Sequence, residues 1–128
     1  MSNPSPPPMD TPHAASGPLA GIKVVELGQL IAGPFAAKTL ADFGADVIKI
    51  EPPGVGDPLR KWRLLKDGTS VWWQVQSRNK RSLALNLRDP QAQDLVRQLA
   101  DDADVLEQAC LTMKHVCCNN GAFVVRLL

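Results

Sequence analysis

One stretch, residues 21–51, constrains the fold of this chain more than any other part of the sequence. Its first segment carries four apolar residues, largely β-branched, which is typical of a strand buried on both faces of a parallel sheet: Ile22, Val24, Val25 and Leu27. Gly33 and Pro34 follow, and proline favours the first position of a helix. The stretch therefore predicts a strand, a helix and a second strand, joined by a right-handed crossover.

The helix is predicted over residues 34–43 and the second strand over residues 45–50. Lys38 and Asp42 stand one helical turn apart, so we expect their side chains to form an ion pair. Gly44 favours the backbone conformation that ends helices. The apolar side chains expected to face inward are Ala36, Ala37, Leu40 and Phe43.

The turn at residues 28–33 is the first candidate wall of a ligand site. A turn between a buried strand and a helix presents backbone N–H groups and the positive end of the helix dipole to an anion. In open α/β sheets, ligands also gather at the carboxyl ends of the strands. The turn lacks the GxGxxG spacing of a dinucleotide site, and a turn that binds nothing remains the alternative.

Residues 52–58 are dense in proline and glycine and predict a loop. A basic cluster with one aromatic side chain follows this loop. Such a cluster is most often a solvated face, although its cations would also suit the phosphates of an anionic ligand. For Trp62, packing and ligand contact remain equal alternatives. The members of the cluster are Arg60, Lys61, Trp62, Arg63 and Lys66.

The middle of the chain predicts a further strand after a polar turn. Residues 71–75 are apolar and are compatible with a short helix or a short strand, whereas residues 77–81 predict a polar turn. Leu83, Leu85 and Leu87 occupy alternate positions, which predicts a strand with two different faces.

A second helix and a fourth strand follow. Asp89 and Pro90 predict the N-cap and the first residue of a helix that ends near Ala100, and residues 103–106 predict a strand. The element order β-α-β-loop-β-α-β predicts an α/β fold with a Rossmann-like, doubly wound sheet. The side chains of this helix expected to face inward are Ala92, Leu95, Val96 and Leu99.

The composition argues against several classes of function. A formal net charge of +1 gives no general attraction to nucleic acid or to a membrane, and the absence of tyrosine argues against a base-stacking surface. No apolar run approaches the roughly 20 residues needed to span a bilayer. Residues 1–17 are rich in proline, serine and alanine and predict a disordered leader without a targeting signal. We therefore expect a cytoplasmic protein.

Residues 107–128 contain all three cysteines and fit no clear element, so they are interpreted as a divergent tail. A zinc site is a hypothesis for this segment, but its cysteines lack the usual CxxC spacing. We expect no metal site and reduced thiols. The candidate ligands for such a site are Cys110, His115, Cys117 and Cys118.

Several motifs within residues 18–106 stand in the order found in family III CoA-transferases. They are LIAGPF, GADVIKIE, GDPLRKW and NKRSLALNL. On these motifs the segment resembles the opening of such an enzyme, a group that contains the formyl-CoA and carnitine-type CoA-transferases. The resemblance implies that residues 18–106 are an incomplete, N-terminal part of the large domain of this family, and that the tail reflects a frameshift or an alternative termination.

The resemblance also implies an activity, the transfer of CoA from an acyl-CoA donor to a carboxylic acid. Members of the family use an Asp carboxylate as the nucleophile, which divides one transfer into easier steps. No Asp in this sequence stands in that motif, so no catalytic residue is assigned and the chain is expected to be inactive alone. Coenzyme A and acyl-CoA are expected as substrates, and no cofactor is expected to be covalently bound.

The family's contacts to CoA fall partly within the matched segment. They lie in the turn before the AGP motif and at the end of a later strand. Carried over onto this sequence, they are Ile31, Ala32, Leu85, Asn86, Leu87 and Arg88.

Two departures from the family pattern affect this site. Ile31 stands where formyl-CoA transferases carry Gln, and it cannot donate a hydrogen bond to a small dicarboxylate, which argues against oxalate as the acceptor. Pro52 stands where they carry Arg, which removes one cation near the CoA phosphates. Arg60 and Arg88 are the candidate replacements.

Two alternatives remain open. The α-methylacyl-CoA racemases open with a similar segment, although the GDPLRKW and SRNKRS motifs favour the transferase. The second alternative is a non-catalytic fragment that binds CoA or a partner. It is kept because a parallel domain of about ninety residues leaves strand edges uncovered. Known members of the family resemble interlocked homodimers, so we expect this chain to be either poorly soluble alone or dependent on association.

Overall fold

The computed structural model describes residues 16–108 and, further along, the backbone of residues 123–125. Its elements follow in the order β1 (Lys23–Glu26), α1 (Ala32–Asp42), β2 (Asp46–Glu51), a 3-10 helix (Pro58–Lys61), β3 (Leu65–Lys66), β4 (Thr69–Ser70), α2 (Val71–Gln76), β5 (Lys80–Ala84), α3 (Pro90–Asp101), β6 (Val105–Glu107) and β7 (Phe123–Val125). Five strands form a parallel sheet in the order β5-β2-β1-β6-β7, and β3 and β4 form a separate antiparallel hairpin. The predicted α/β class with a parallel sheet is confirmed.

The β1-α1-β2 unit matches its prediction closely. The two strands pair in parallel, and Gly44 ends the helix with a φ of 101°. The predicted ion pair forms, with Lys38 Nζ 2.7 Å from Asp42 Oδ2. The helix begins at Ala32, so Pro34 occupies its third position, where the missing N–H has no partner within the helix in any case.

One inward-facing residue of this helix was predicted wrongly. Phe43 is 53 % exposed, whereas Ala37 and Ala41 are buried. Phe43 is the C-cap residue and lies beyond the last helical turn, so the helical spacing no longer sets the direction of its side chain.

The later strand, helix and strand also occur in the predicted order, but their bounds differ from the predicted ones. Residues 71–75 belong to helix α2. The strand predicted through Leu83, Leu85 and Leu87 instead spans Lys80–Ala84, because these residues pair with β2, so the last two residues predicted as turn belong to the strand and Leu85 and Leu87 lie beyond its end. Asp89 caps α3 as predicted, and its Oδ1 accepts a hydrogen bond of 2.9 Å from the N–H of Gln91. Leu95 is 40 % exposed and not buried, because Val96 and Ala100 form the centre of the helix face that meets the sheet.

Each face of the sheet carries its own apolar cluster. Val24 and Val47 contact α1 through Ala37 and Ala41 on one face. On the other face, Val25, Ile50 and Leu106 pack with α3. The strands are therefore covered on both sides, as their apolar sequences require.

Several predictions lie wholly or mostly outside the described residues. They concern the leader, of which only residues 16 and 17 are described, the metal hypothesis for Cys110, His115, Cys117 and Cys118, and most of the tail. Within that tail the backbone of β7 pairs in parallel with β6, an element that the sequence did not predict. No helix in the described part of the chain is long and apolar enough to cross a bilayer.

Candidate functional site

A cleft of about 720 Å³ opens at the carboxyl ends of the parallel strands. It is formed where β1, β2, β5 and β6 end, the place at which open α/β sheets bind their ligands. Its walls combine leucine, isoleucine and proline side chains with five amide or charged residues. The lining residues are Leu27, Gln29, Ile50, Glu51, Pro52, Pro53, Leu85, Asn86, Leu87, Arg88 and Gln108.

Four of the six residues carried over from the family line this cleft together. They are Leu85, Asn86, Leu87 and Arg88, which follow the end of β5. Ile31 and Ala32 are not among the lining residues and lie exposed at the start of α1. The turn at residues 28–33 nevertheless contributes to the wall, through Gln29.

Arg88 is the only lysine or arginine among the described residues that line the cleft. The other candidate cation, Arg60, is already engaged. Its guanidinium donates to both oxygens of Glu51, at 2.7 and 2.8 Å, and stacks 3.9 Å from the ring centre of Trp73. Arg88 is therefore the residue best placed to meet an anionic ligand in the cleft.

Glu51 stays ionised on the wall of the cleft. Burial alone would raise its pKa, but hydrogen bonds from Arg60, from Ser82 and from the backbone N–H of Asp57 lower the pKa to about 2. Its negative charge is neutralised by Arg60, so the pair adds little net charge to the cleft.

Behind the turn lies a cluster of buried charges that sequence reasoning did not identify. Lys49 Nζ lies 2.8 Å from a carboxylate oxygen of Glu26 and 2.8 Å from one of Asp57. Lys80 Nζ lies 2.7 Å from the other oxygen of Glu26 and donates to the carbonyl of Pro34 at 2.8 Å. These contacts join β1, β2, β5 and the loop before the 3-10 helix to one another. They lie directly beneath the turn at residues 28–33 and support it.

Glu107 ends β6 against the same turn. Its Oε2 accepts a hydrogen bond of 2.9 Å from the N–H of Gly28, and its Oε1 has no hydrogen-bond partner within the described part of the chain. Its burial against residues 28–33 depends on tertiary packing that no local pattern reveals.

A comparison with known protein families matches residues 19–112 to the family described as CoA-transferase family III. This match covers well over half of the chain and includes every described lining residue of the cleft.

The chain belongs to CoA-transferase family III.

Curated relatives within family III agree with this placement. The chain is 50 % identical over 90 residues to the succinyl-CoA–D-citramalate CoA-transferase of Chloroflexus aurantiacus, a match that covers 70 % of this chain and 22 % of the relative. It is 44 % identical over 89 residues to the human succinyl-CoA:glutarate CoA-transferase, and that match covers 69 % of this chain and 20 % of the relative. The chain therefore spans about a fifth of the length of these relatives.

Solved structures show the same fold. A CAIB/BAIF family protein from Brucella suis superposes with a TM-score of 0.66 at 39 % identity, over 73 % of this chain and 26 % of that protein. A hypothetical protein from Mycobacterium tuberculosis gives a TM-score of 0.67 at 35 % identity, over 77 % of this chain and 27 % of that protein. The family III sheet is thus present in this chain across the region that carries the cleft.

Three further sequence predictions can be compared with the structure around the cleft. The basic cluster at residues 60–66 contributes no described side chain to the cleft wall. Trp62 makes an edge-on contact with Trp72, with ring centres 5.8 Å apart, so packing accounts for it. No group of acidic, histidine or cysteine side chains in residues 16–108 is arranged to hold a metal ion.

Proposed function

We propose that the cleft binds coenzyme A, and that the chain supplies this site to a CoA-transferase that moves CoA between an acyl-CoA and a carboxylic acid. The observation that carries the proposal is the assembly of Leu85, Asn86, Leu87 and Arg88 around one cleft at the carboxyl ends of the strands. Membership of family III supports CoA thioesters as the substrate class.

The chemistry of the cleft suits the nucleotide part of CoA. Apolar walls from Leu85, Leu87 and Ile50 can contact a flat adenine ring, and Asn86 offers an amide for hydrogen bonds to its edge. Arg88 supplies the positive charge that a phosphate requires. Since Pro52 replaces an arginine of the formyl-CoA transferases, the proposal assigns the phosphate contact to Arg88.

The relatives guide the choice of substrates. Their names specify succinyl-CoA with citramalate or glutarate, so we propose succinyl-CoA as the first donor to test and a dicarboxylic acid longer than oxalate as the acceptor. The racemase alternative is not favoured, because the relatives named above are CoA-transferases.

Transfer itself is proposed to require more polypeptide than this chain. No Asp here stands in the motif of the nucleophile, and the chain spans about a fifth of its relatives. We propose that the chain associates with itself or with a further subunit, as relatives named as alpha and beta subunits of a malate CoA-transferase do. The alternative is a fragment that binds CoA and has no catalytic role.

Calorimetric titration of the full chain with CoA tests the proposal. We expect micromolar affinity, and a loss of about ten- to a hundredfold in Arg88→Ala, because a charged hydrogen bond is worth roughly 1.5–3 kcal/mol. Arg81→Ala is the matched control, since Arg81 pairs with Asp46 at the opposite end of the sheet. Absence of binding, or equal affinity in wild type and Arg88→Ala, would contradict the proposal.

A further inference from the structure

The carboxyl group of Glu107 is buried beneath the turn at residues 28–33, and the proposed CoA site gives it no role. The residue is 1 % exposed at the end of β6. Gly28 and Gly33, at the two ends of the turn, close over its carboxyl group. A Cβ added to Gly33 would lie 2.6 Å from Oε2 of Glu107, and one added to Gly28 would lie closer still. The two glycines leave room that no larger residue would leave, so the turn is built around this carboxyl group.

The charged groups that surround Glu107 are balanced without it. Glu26 of β1 and Asp57 of the following loop carry two negative charges, and Lys49 of β2 and Lys80 of β5 carry two positive charges. Ion pairs between 2.7 and 2.8 Å join these four side chains. An ionised Glu107 would add an unbalanced negative charge, which is costly in a buried site.

The protonation of Glu107 follows from this placement. Burial raises its pKa, and the nearby charge of Glu26 acts in the same direction. The N–H of Gly28 and the cations of Lys49 and Lys80 oppose the rise without cancelling it. The carboxyl group therefore holds its proton to a higher pH in the folded chain than in the unfolded chain.

We propose that Glu107 is a positioning residue whose buried carboxyl group, in its protonated form, holds the turn of residues 28–33 closed, and that its ionisation loosens this turn. The inference concerns the turn itself and stands whether or not the cleft binds CoA. Its consequence for ligand affinity, through Gln29, rests on the proposed function.

Glu107→Gln tests the proposal, because it keeps the shape and the acceptor for the N–H of Gly28 but cannot ionise. A raised folded pKa means that wild-type stability is full below the unfolded pKa and falls as the pH rises towards the folded value. Each unit between the two pKa values lowers the folded-to-unfolded ratio about tenfold. Urea unfolding at a series of pH values measures the folded-to-unfolded ratio of both proteins. As the pH rises through this window, we expect the ratio of the Gln variant to become several-fold larger than that of wild type.

The exposed substitution Asp101→Asn is the matched control and should leave the pH profile unchanged. A Gln variant whose stability runs parallel to wild type at all pH values would overturn the proposal. So would a Gln variant that is less stable than wild type at every pH, because that result would mean that the negative charge is needed.

The amide signal of Gly28 gives a second measurement on the wild-type chain alone. Its nitrogen chemical shift should follow one titration as the pH rises, because the N–H donates to the titrating carboxyl group. The step should vanish in Glu107→Gln. A Gly28 signal that stays constant while the wild-type chain remains folded would overturn the proposal even if the variant does not fold.

Discussion

Lys49 Nζ lies 2.8 Å from Glu26 Oε1, and the two side chains are 2 % and 0 % exposed. The ammonium also donates to the carbonyl of Gly28 and forms a second ion pair with Asp57. Burial alone would lower the pKa of Lys49, but the carboxylates of Glu26 and Asp57 outweigh burial and raise it. A charged lysine therefore joins β1, β2 and the loop that borders the cleft.

Replacing this lysine should be severe. Lys49→Met leaves Glu26 and Asp57 buried with fewer cations, and breaking a buried pair from one side costs about 3–5 kcal/mol. Urea unfolding at pH 7 measures the loss. Lys23→Met, which removes an exposed ion pair with Asp102, serves as the control and should change stability little. Equal effects of the two substitutions would contradict the assigned role of Lys49.

Glu51→Gln should destabilise the chain at neutral pH but not in acid. The pKa of Glu51 is lowered from 4.5 to about 2 in the folded state, so its stabilising contribution is full above the unfolded value and is lost as the pH falls towards 2. We expect a difference from wild type of about 2 kcal/mol at pH 7, since the partly exposed Arg60 is screened by water. Unfolding curves between pH 7 and pH 2 measure it, and a difference that grows in acid would contradict the expected sign.

The fit between Gly33 and Glu107 can be tested by a double-mutant cycle. Gly33→Ala places a Cβ against the buried carboxyl group and should cost roughly 2 kcal/mol in the wild-type background. In the Glu107→Ala background the contact is gone, and alanine should be neutral or mildly favourable because Gly33 lies in the first turn of α1. Additive effects of the two substitutions would show that the residues do not interact.

Local sequence signals predicted the backbone order because they depend on near neighbours. Asp89 and Pro90 define the start of α3, and Gly44 defines the end of α1, through contacts within a few residues. The four-residue spacing of Lys38 and Asp42 likewise places the two charges on one helix face. Such features need no knowledge of the tertiary fold.

The charged interior could not be predicted in the same way. Lys49 stands in a mostly apolar strand, while Glu26 lies on another strand and Asp57 in the loop that follows, so no helical or strand spacing relates them. Glu107 is similar, because it is buried by glycines that lie about eighty residues earlier in the chain. The four CoA contacts after β5 were proposed by resemblance to the family, and the structure adds Gln29 and Gln108 to the same cleft.

The most direct measurement for the proposed site is a titration of the isotope-labelled chain with CoA, followed through its backbone amide signals. We expect saturable shifts at Gln29 and at residues 85–88, around the cleft. The signals of Lys23, Asp46 and Arg81, at the opposite end of the sheet, should not move. Shifts confined to that opposite end, or no shifts at millimolar CoA, would contradict the assignment of the cleft as the CoA site.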